Sequence, residues 1–109
     1  MKQYEIWWAT LPDPAGRRPV LLLSRNAAYE HLNKFVVAEV TTRIRGIAVE
    51  VPLGPPEGMR KACAANCDNL HTVSRERFGA RIGALAHERR VEAKRAVGYA
   101  TGWYELMDL

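Results

Sequence analysis

The sequence predicts a mainly β fold with some α, a small barrel or curled sheet of five or six short strands closed by one helix. Three observations carry this. Short runs rich in β-branched and aromatic residues recur along most of the chain, each bounded by Pro, Gly, Asn or Asp. The final proline-free stretch places its apolar residues at steps of three and four instead of alternating them. Helix and strand do not alternate throughout, as a parallel α/β layout would require.

The chain has 109 residues, 48% of them hydrophobic. That supports one core, so a single domain over 1–109 is expected. "YEIWWA", from Tyr4 to Ala9, is the first expected strand. "TLPDPAG" carries two prolines and a glycine and reads as a loop. Pro19 then leads into "VLLLS", an unbroken apolar run of the kind found in strands buried on both faces. Arg18 precedes that proline, which restricts it to extended geometry and gives its side chain a defined exit.

"NAAYEHLNK" is open between a helix capped by Asn26 and a long loop, while "FVVAEVTT", Phe35 to Thr42, is a strand running into the basic "RIRG". "IAVEVPL" is a further strand bounded by Gly46 and Pro52, and "GPPEG" a turn. "AANCDNLHTV" reads as a short strand, a break at Asp68 and Asn69, and a second short strand; "RIGAL" is one more. Ala86 to Trp103 is the terminal helix, with Ala93, Val97, Ala100 and Tyr104 along one face and Gly98 weakening it.

The net charge of +4 is spread over both halves of the chain. It is compatible with a nucleic-acid partner without requiring one. No eighteen-residue apolar run and no leader-like segment occurs, so a cytoplasmic protein with no membrane partner is expected. Two cysteines are too few for a disulfide scaffold. Cys63, Cys67 and His71 recur every fourth residue, but "NCDNLHTV" is a poor helix, and an extended chain would spread them over about 27 Å at ~3.3 Å per residue. No metal and no cofactor is therefore expected. Walker, Rossmann and nucleophile-elbow signatures are absent. What remains is a set of polar residues at strand ends: Arg17 and Arg18, Thr41 and Thr42, and Asp68 and Asn69.

"EIWWATLPDPAGRRPVLLLSR", "VVAEVTTRIRGIAVEVPL" and "NCDNLHTVSRERFGARIGAL", in this order and spacing, resemble the MazF/PemK toxins of type II toxin–antitoxin systems, over Glu5 to about Tyr99. The resemblance implies an SH3-like (PemK/CcdB-like) barrel of five to seven strands with a C-terminal helix, usually a homodimer. It implies a metal-independent endoribonuclease of the mRNA interferase type, selective for single-stranded RNA and blocked by a MazE-like antitoxin. The catalytic pair of that family falls on Arg18 and Thr41. Asp68 and Asn69 fall on its supporting positions, and Arg17, Thr42, Arg43 and Arg45 are candidates for RNA contact. Two departures stand out: the loop "LPDPAGRRP" is shortened, and Tyr4 occupies a position usually held by glycine.

These residue types suit RNA cleavage. The substrate brings its own nucleophile, the ribose 2'-hydroxyl, so the protein must orient the backbone and stabilise the added charge on phosphorus. A guanidinium does this through a fixed fork of donors that stays protonated. A threonine hydroxyl adds a hydrogen bond. Without the family, Arg18 reads as a solvated loop residue and Thr41 as an ordinary strand residue. Two other readings are a CcdB-like gyrase poison, whose C-terminal Trp-Gly-Ile this chain lacks, and a non-catalytic RNA-binding module. Trp7 and Trp8 alternate faces, so at most one is expected in the core, and the other is open between stacking a base and packing at a dimer interface.

Overall fold

The computed structural model describes residues Met1–Leu109. Six strands form one curled sheet: β1 (Glu5–Leu11), β2 (Gly16–Leu22), β3 (Lys34–Thr41), β4 (Glu50–Leu53), β5 (Cys63–Ser74) and β6 (Phe78–Ala84). Their order across the sheet is β4-β5-β3-β2-β1-β6, and every neighbouring pair is antiparallel. A single turn of helix, α1 (Ala28–His31), links β2 to β3, but Asn26 does not cap it: the N-cap is Ala27, and Asn26 Oδ1 accepts the Gln3 N–H instead. The C-terminal helix is α2 (Arg90–Thr101). No helix is long and apolar enough to cross a membrane.

Several boundaries differ from the sequence reading. The loop in "TLPDPAG" is shorter than read: Leu11 is buried at the end of β1, β2 starts at Gly16, and the turn between them is Pro12–Ala15. Arg17 and Arg18 thus lie inside β2, not ahead of it. Ile47 to Val49 fall outside β4. The break at Asp68 and Asn69 is real in the ladder but not in the strand. Ala38 faces Leu70 and the next residue, Glu39, faces Asn66, so β5 bulges by three residues without ending. Buried Asn66 accepts the Asp68 N–H at 2.9 Å within that bulge. Tyr104 lies beyond the left-handed Gly102 that ends α2, and it is exposed. Gly98 sits where the chain folds back; a Cβ there would stand 2.7 Å from the Leu106 Cβ.

The core has two layers, one on each face of the sheet. Leu21 joins Ile6, Ala38, Val40 and Val51 under Ala93 and Ala96 of α2. Val20 and Leu22 point the other way, into Phe35, Val37, Leu11 and Tyr29. Period-two alternation therefore buries every residue of "VLL", as the unbroken run predicts. Each such side chain contributes about 2 kcal/mol by leaving water.

The sheet closes without a ladder between its edge strands. After β4 the chain makes a one-turn 3-10 helix, Pro55–Glu57, and then Gly58 at φ +92°. A Cβ on Gly58 would lie 2.6 Å from the Ile82 carbonyl oxygen, and one on Gly83 would lie 1.9 Å from that of Glu57. Backbone rests on backbone at this seam. Buried Glu57 holds the turn, accepting the Gly54 N–H at 2.6 Å and pairing with Arg89 at 3.2 Å.

Tyr4 precedes β1 in the left-handed region, φ +73°. That conformation costs a non-glycine residue about 1 kcal/mol or more and explains why glycine suits the position. Here the tyrosine ring is buried and carries the Arg90 guanidinium 5.0 Å above it.

Candidate active site

The site begins with a proline. Leu23 N–H donates to the Val36 carbonyl at 3.0 Å, so the backbone of β2 points at β3 at that position and at every second residue before it, Leu21 and Pro19. Pro19 has no N–H to give. The β2–β3 ladder accordingly stops at the pair Val20 and Glu39. On its other side β2 stays paired with β1 as far as Gly16. Continued past its last pair, the β2–β3 register sets Pro19 opposite Val40 and Arg18 opposite Thr41.

Where the strands part, a hollow of about 510 Å³ opens. Arg18, Pro19, Thr41, Thr42, Arg60 and Lys61 contribute to its rim, while Val40, Met59, Cys63 and Ile82 join it to the apolar layer under α2. The two residues that the sequence paired therefore share one concavity. No Asp or Glu lines it, although Arg18, Arg60 and Lys61 do.

Local bonds leave both central groups free to donate. Arg18 uses its Nε–H on the Ala15 carbonyl at 3.0 Å, which fixes the guanidinium plane and leaves the two terminal nitrogens uncommitted. Thr41 Oγ1 accepts the Arg43 N–H at 3.0 Å; its own proton remains available. Thr42 also lines the hollow, exposed at the end of β3.

The other sequence candidates lie outside it. Arg17 alternates away from Arg18 and stacks its guanidinium 4.0 Å over the Trp8 ring. Trp8 lines the hollow, whereas Trp7 packs on the core and donates its Nε1–H to Glu5 at 3.0 Å. Arg43 and Arg45 are exposed on the loop after β3, which the buried Glu50 carboxylate ties down by accepting the Arg45 and Gly46 N–H groups. Asp68 and Asn69 are exposed on the β5 bulge and are not among the lining residues.

The Cys63, Cys67, His71 series does not converge. Both cysteines are buried, and burial pushes the Cys67 thiol up to about 11, with Asp68 adding to the effect. His71 Nε2 instead meets Glu39 at 3.1 Å across the β3–β5 ladder. No three His, Cys, Asp or Glu side chains gather at one point.

Arg60 and Lys61 are the site residues that the sequence reading missed. "GMRKAC" follows a predicted turn, where basic residues look like ordinary solvated charge; only closure of the sheet carries them to the mouth of β2.

The model of the PemK-like, MazF-like toxins of type II toxin–antitoxin systems matches residues 2–100. The chain belongs to this toxin family. It is 42% identical over 86 residues to the probable endoribonuclease MazF5 of Mycobacterium tuberculosis, covering 78% of each chain. The solved Mycobacterium tuberculosis toxin MazF-mt6 superposes with a TM-score of 0.84 at 34% identity, over 90% of this chain and 96% of that one. An endoribonuclease from Mycobacterial species, solved in complex with its cognate antitoxin, shares the fold at a TM-score of 0.81 and 24% identity, covering 94% and 95%. The curled six-stranded sheet with its C-terminal helix is thus the MazF fold, as the motifs imply.

Proposed function

We propose that this MazF-family chain is a toxin endoribonuclease, a single domain over 1–109, that cleaves single-stranded RNA sequence-selectively without a metal. A ribose 2'-hydroxyl attacks its adjoining phosphodiester, the bond to the 5'-oxygen breaks, and a 2',3'-cyclic phosphate and a 5'-hydroxyl result. The observation that carries this reading is the placement of Arg18 and Thr41 across the opened end of the β2–β3 ladder, in a hollow with cations and no carboxylate.

The geometry suits a phosphate that gains negative charge. The free end of the Arg18 guanidinium offers paired donors to its non-bridging oxygens, and the Thr41 hydroxyl offers a third. Because no carboxylate lines the hollow, the guanidinium is not neutralised before substrate arrives. No histidine lines it either, so catalysis rests on positioning and electrostatics. Trp8 presents an aromatic surface for a base, and Arg43 and Arg45 extend the positive surface along the strand. The bulge with Asp68 and Asn69 does not line this hollow, and a homodimer is the assembly proposed for the chain. A small acidic antitoxin of the MazE kind, present with the toxin in the cytoplasm, fits the same cationic mouth.

Purified protein should cut single-stranded RNA in EDTA, leaving cyclic phosphate ends at a defined short sequence, while folded Arg18→Ala should not. Intact RNA after incubation with folded wild-type protein would sink the proposal. Tight RNA binding without turnover would favour the non-catalytic module. A CcdB-like gyrase poison is disfavoured: Trp103 leads into a turn, Tyr104–Leu106, that packs back on Gly98.

A further inference from the structure

We propose that Arg60 and Lys61 hold a second RNA phosphate, beside the one bound by Arg18. This rests on the RNA-cleaving role of the hollow and adds a subsite to it.

The first support is a contrast among the cations. Arg81 pairs with Glu5, and Arg89 pairs with both Glu57 and Glu92. Arg75 gives its guanidinium to the carbonyls of Tyr29 and Leu32. Arg60 and Lys61, like Arg25, Arg43, Arg45 and Arg77, have no side-chain hydrogen bond or ion pair, but of these only Arg60 and Lys61 stand on the rim of the hollow, which has no acidic lining. Like charges gathered without counter-charge repel one another. A polyanion removes that cost, and its release of counterions adds to binding.

The second support is the anchoring of the segment that carries them. It leaves a turn pinned by the Glu57–Arg89 pair and by the contact of Gly58 with the backbone at Ile82. Arg60 and Lys61 are therefore flexible side chains on a fixed base. Arg18 sits on β2, across the hollow from that base. A strand with its scissile phosphate at Arg18 and Thr41 would pass a neighbouring phosphate over Arg60 and Lys61.

The test uses the full chain and RNA oligonucleotides containing its mapped cut site. Arg60→Ala/Lys61→Ala should raise KM about tenfold while kcat stays within about twofold, and should flatten the fall of log(kcat/KM) with log[salt] by about one unit. Arg60→Lys/Lys61→Arg should restore most of the loss. A neutral methylphosphonate at one phosphate next to the scissile one should weaken the wild type about as much and the double variant no further. Thermal melting checks that the variant is folded. Unchanged KM and salt slope, or identical methylphosphonate effects in both proteins, would overturn the subsite. So would a variant that cuts RNA normally and has lost only its inhibition by an antitoxin. An oligonucleotide with 2'-deoxyribose at the cut reports the same contacts by binding alone, which separates failure of this subsite from failure of the cleavage reading.

Discussion

The two halves of β2 behave as different materials. Val20 to Leu22 are fully buried and divided between the two core layers; all three pair with β3, and Val20 and Leu21 also pair with β1. Gly16 to Pro19 keep β1 but have lost β3, and they are half-buried or exposed. The change falls between Pro19 and Val20. A proline is usually a defect in a sheet interior; here it ends a ladder at a chosen place, and a rigid strand carries Arg18 out over the gap. Stability and chemistry are adjacent along the chain yet physically separable.

Substitutions on either side of Pro19 test that separation. The largest effect is expected from Arg18→Ala, a loss of about a thousandfold in kcat/KM, or ~4 kcal/mol, with an almost unchanged melting temperature. A large fall in melting temperature would show Arg18 to be structural. Leu21→Ala should do the reverse, lowering stability by about 3 kcal/mol in urea unfolding while the remaining folded protein retains its specific activity. Thr41→Val, nearly isosteric, should cost roughly ten- to hundredfold in kcat through one lost hydrogen bond to charge. A variant at wild-type rate would remove the hydroxyl from the mechanism.

Pro19→Ala sharpens the comparison further. Restoring the N–H should let the ladder run on toward Thr41 and narrow the hollow, lowering kcat/KM about tenfold while stability changes by less than ~1 kcal/mol, since the added bond offsets the freer unfolded chain. Amide exchange at position 19 would report the new bond.

The smallest effect concerns Glu92, the half-exposed acidic partner of Arg89. The hydrogen bond from Arg89 holds the Glu92 carboxyl below its usual value, with burial opposing and the charges of Arg89 and Arg95 assisting. A carboxyl depressed in the folded state stabilises above its unfolded pKa, and this contribution disappears as pH falls through the folded value. Glu92→Gln should therefore melt below wild type at neutral pH by less than ~1 kcal/mol, and the gap should close by about pH 3.

Much of the fold was legible where local pattern and tertiary environment agree. The run "VLLL" announced a strand buried on both faces, and β-branched "FVVAEV" announced β3. The proline-rich first loop misled because Leu11 belongs to the alternation of β1 through Ala9, which two prolines and a glycine downstream obscured. Arg18 and Thr41 were found from motifs, but their meeting depends on a register between strands that no local pattern records. Asp68 and Asn69 marked the bulge correctly, although the buried amide that bonds within it is Asn66. Arg60 and Lys61 were invisible because their place on the hollow depends on closure of the sheet between its most distant edges.

That closure constrains how the protein can vary. The margins of the sheet abut like the ends of a hoop, with main chain against main chain and no room for a methyl group. Alanine at either glycine would act as a wedge, and the parts nearest the joint would shift first. The expected outcome is a folded protein that cuts at altered positions, its fidelity lost before its shape.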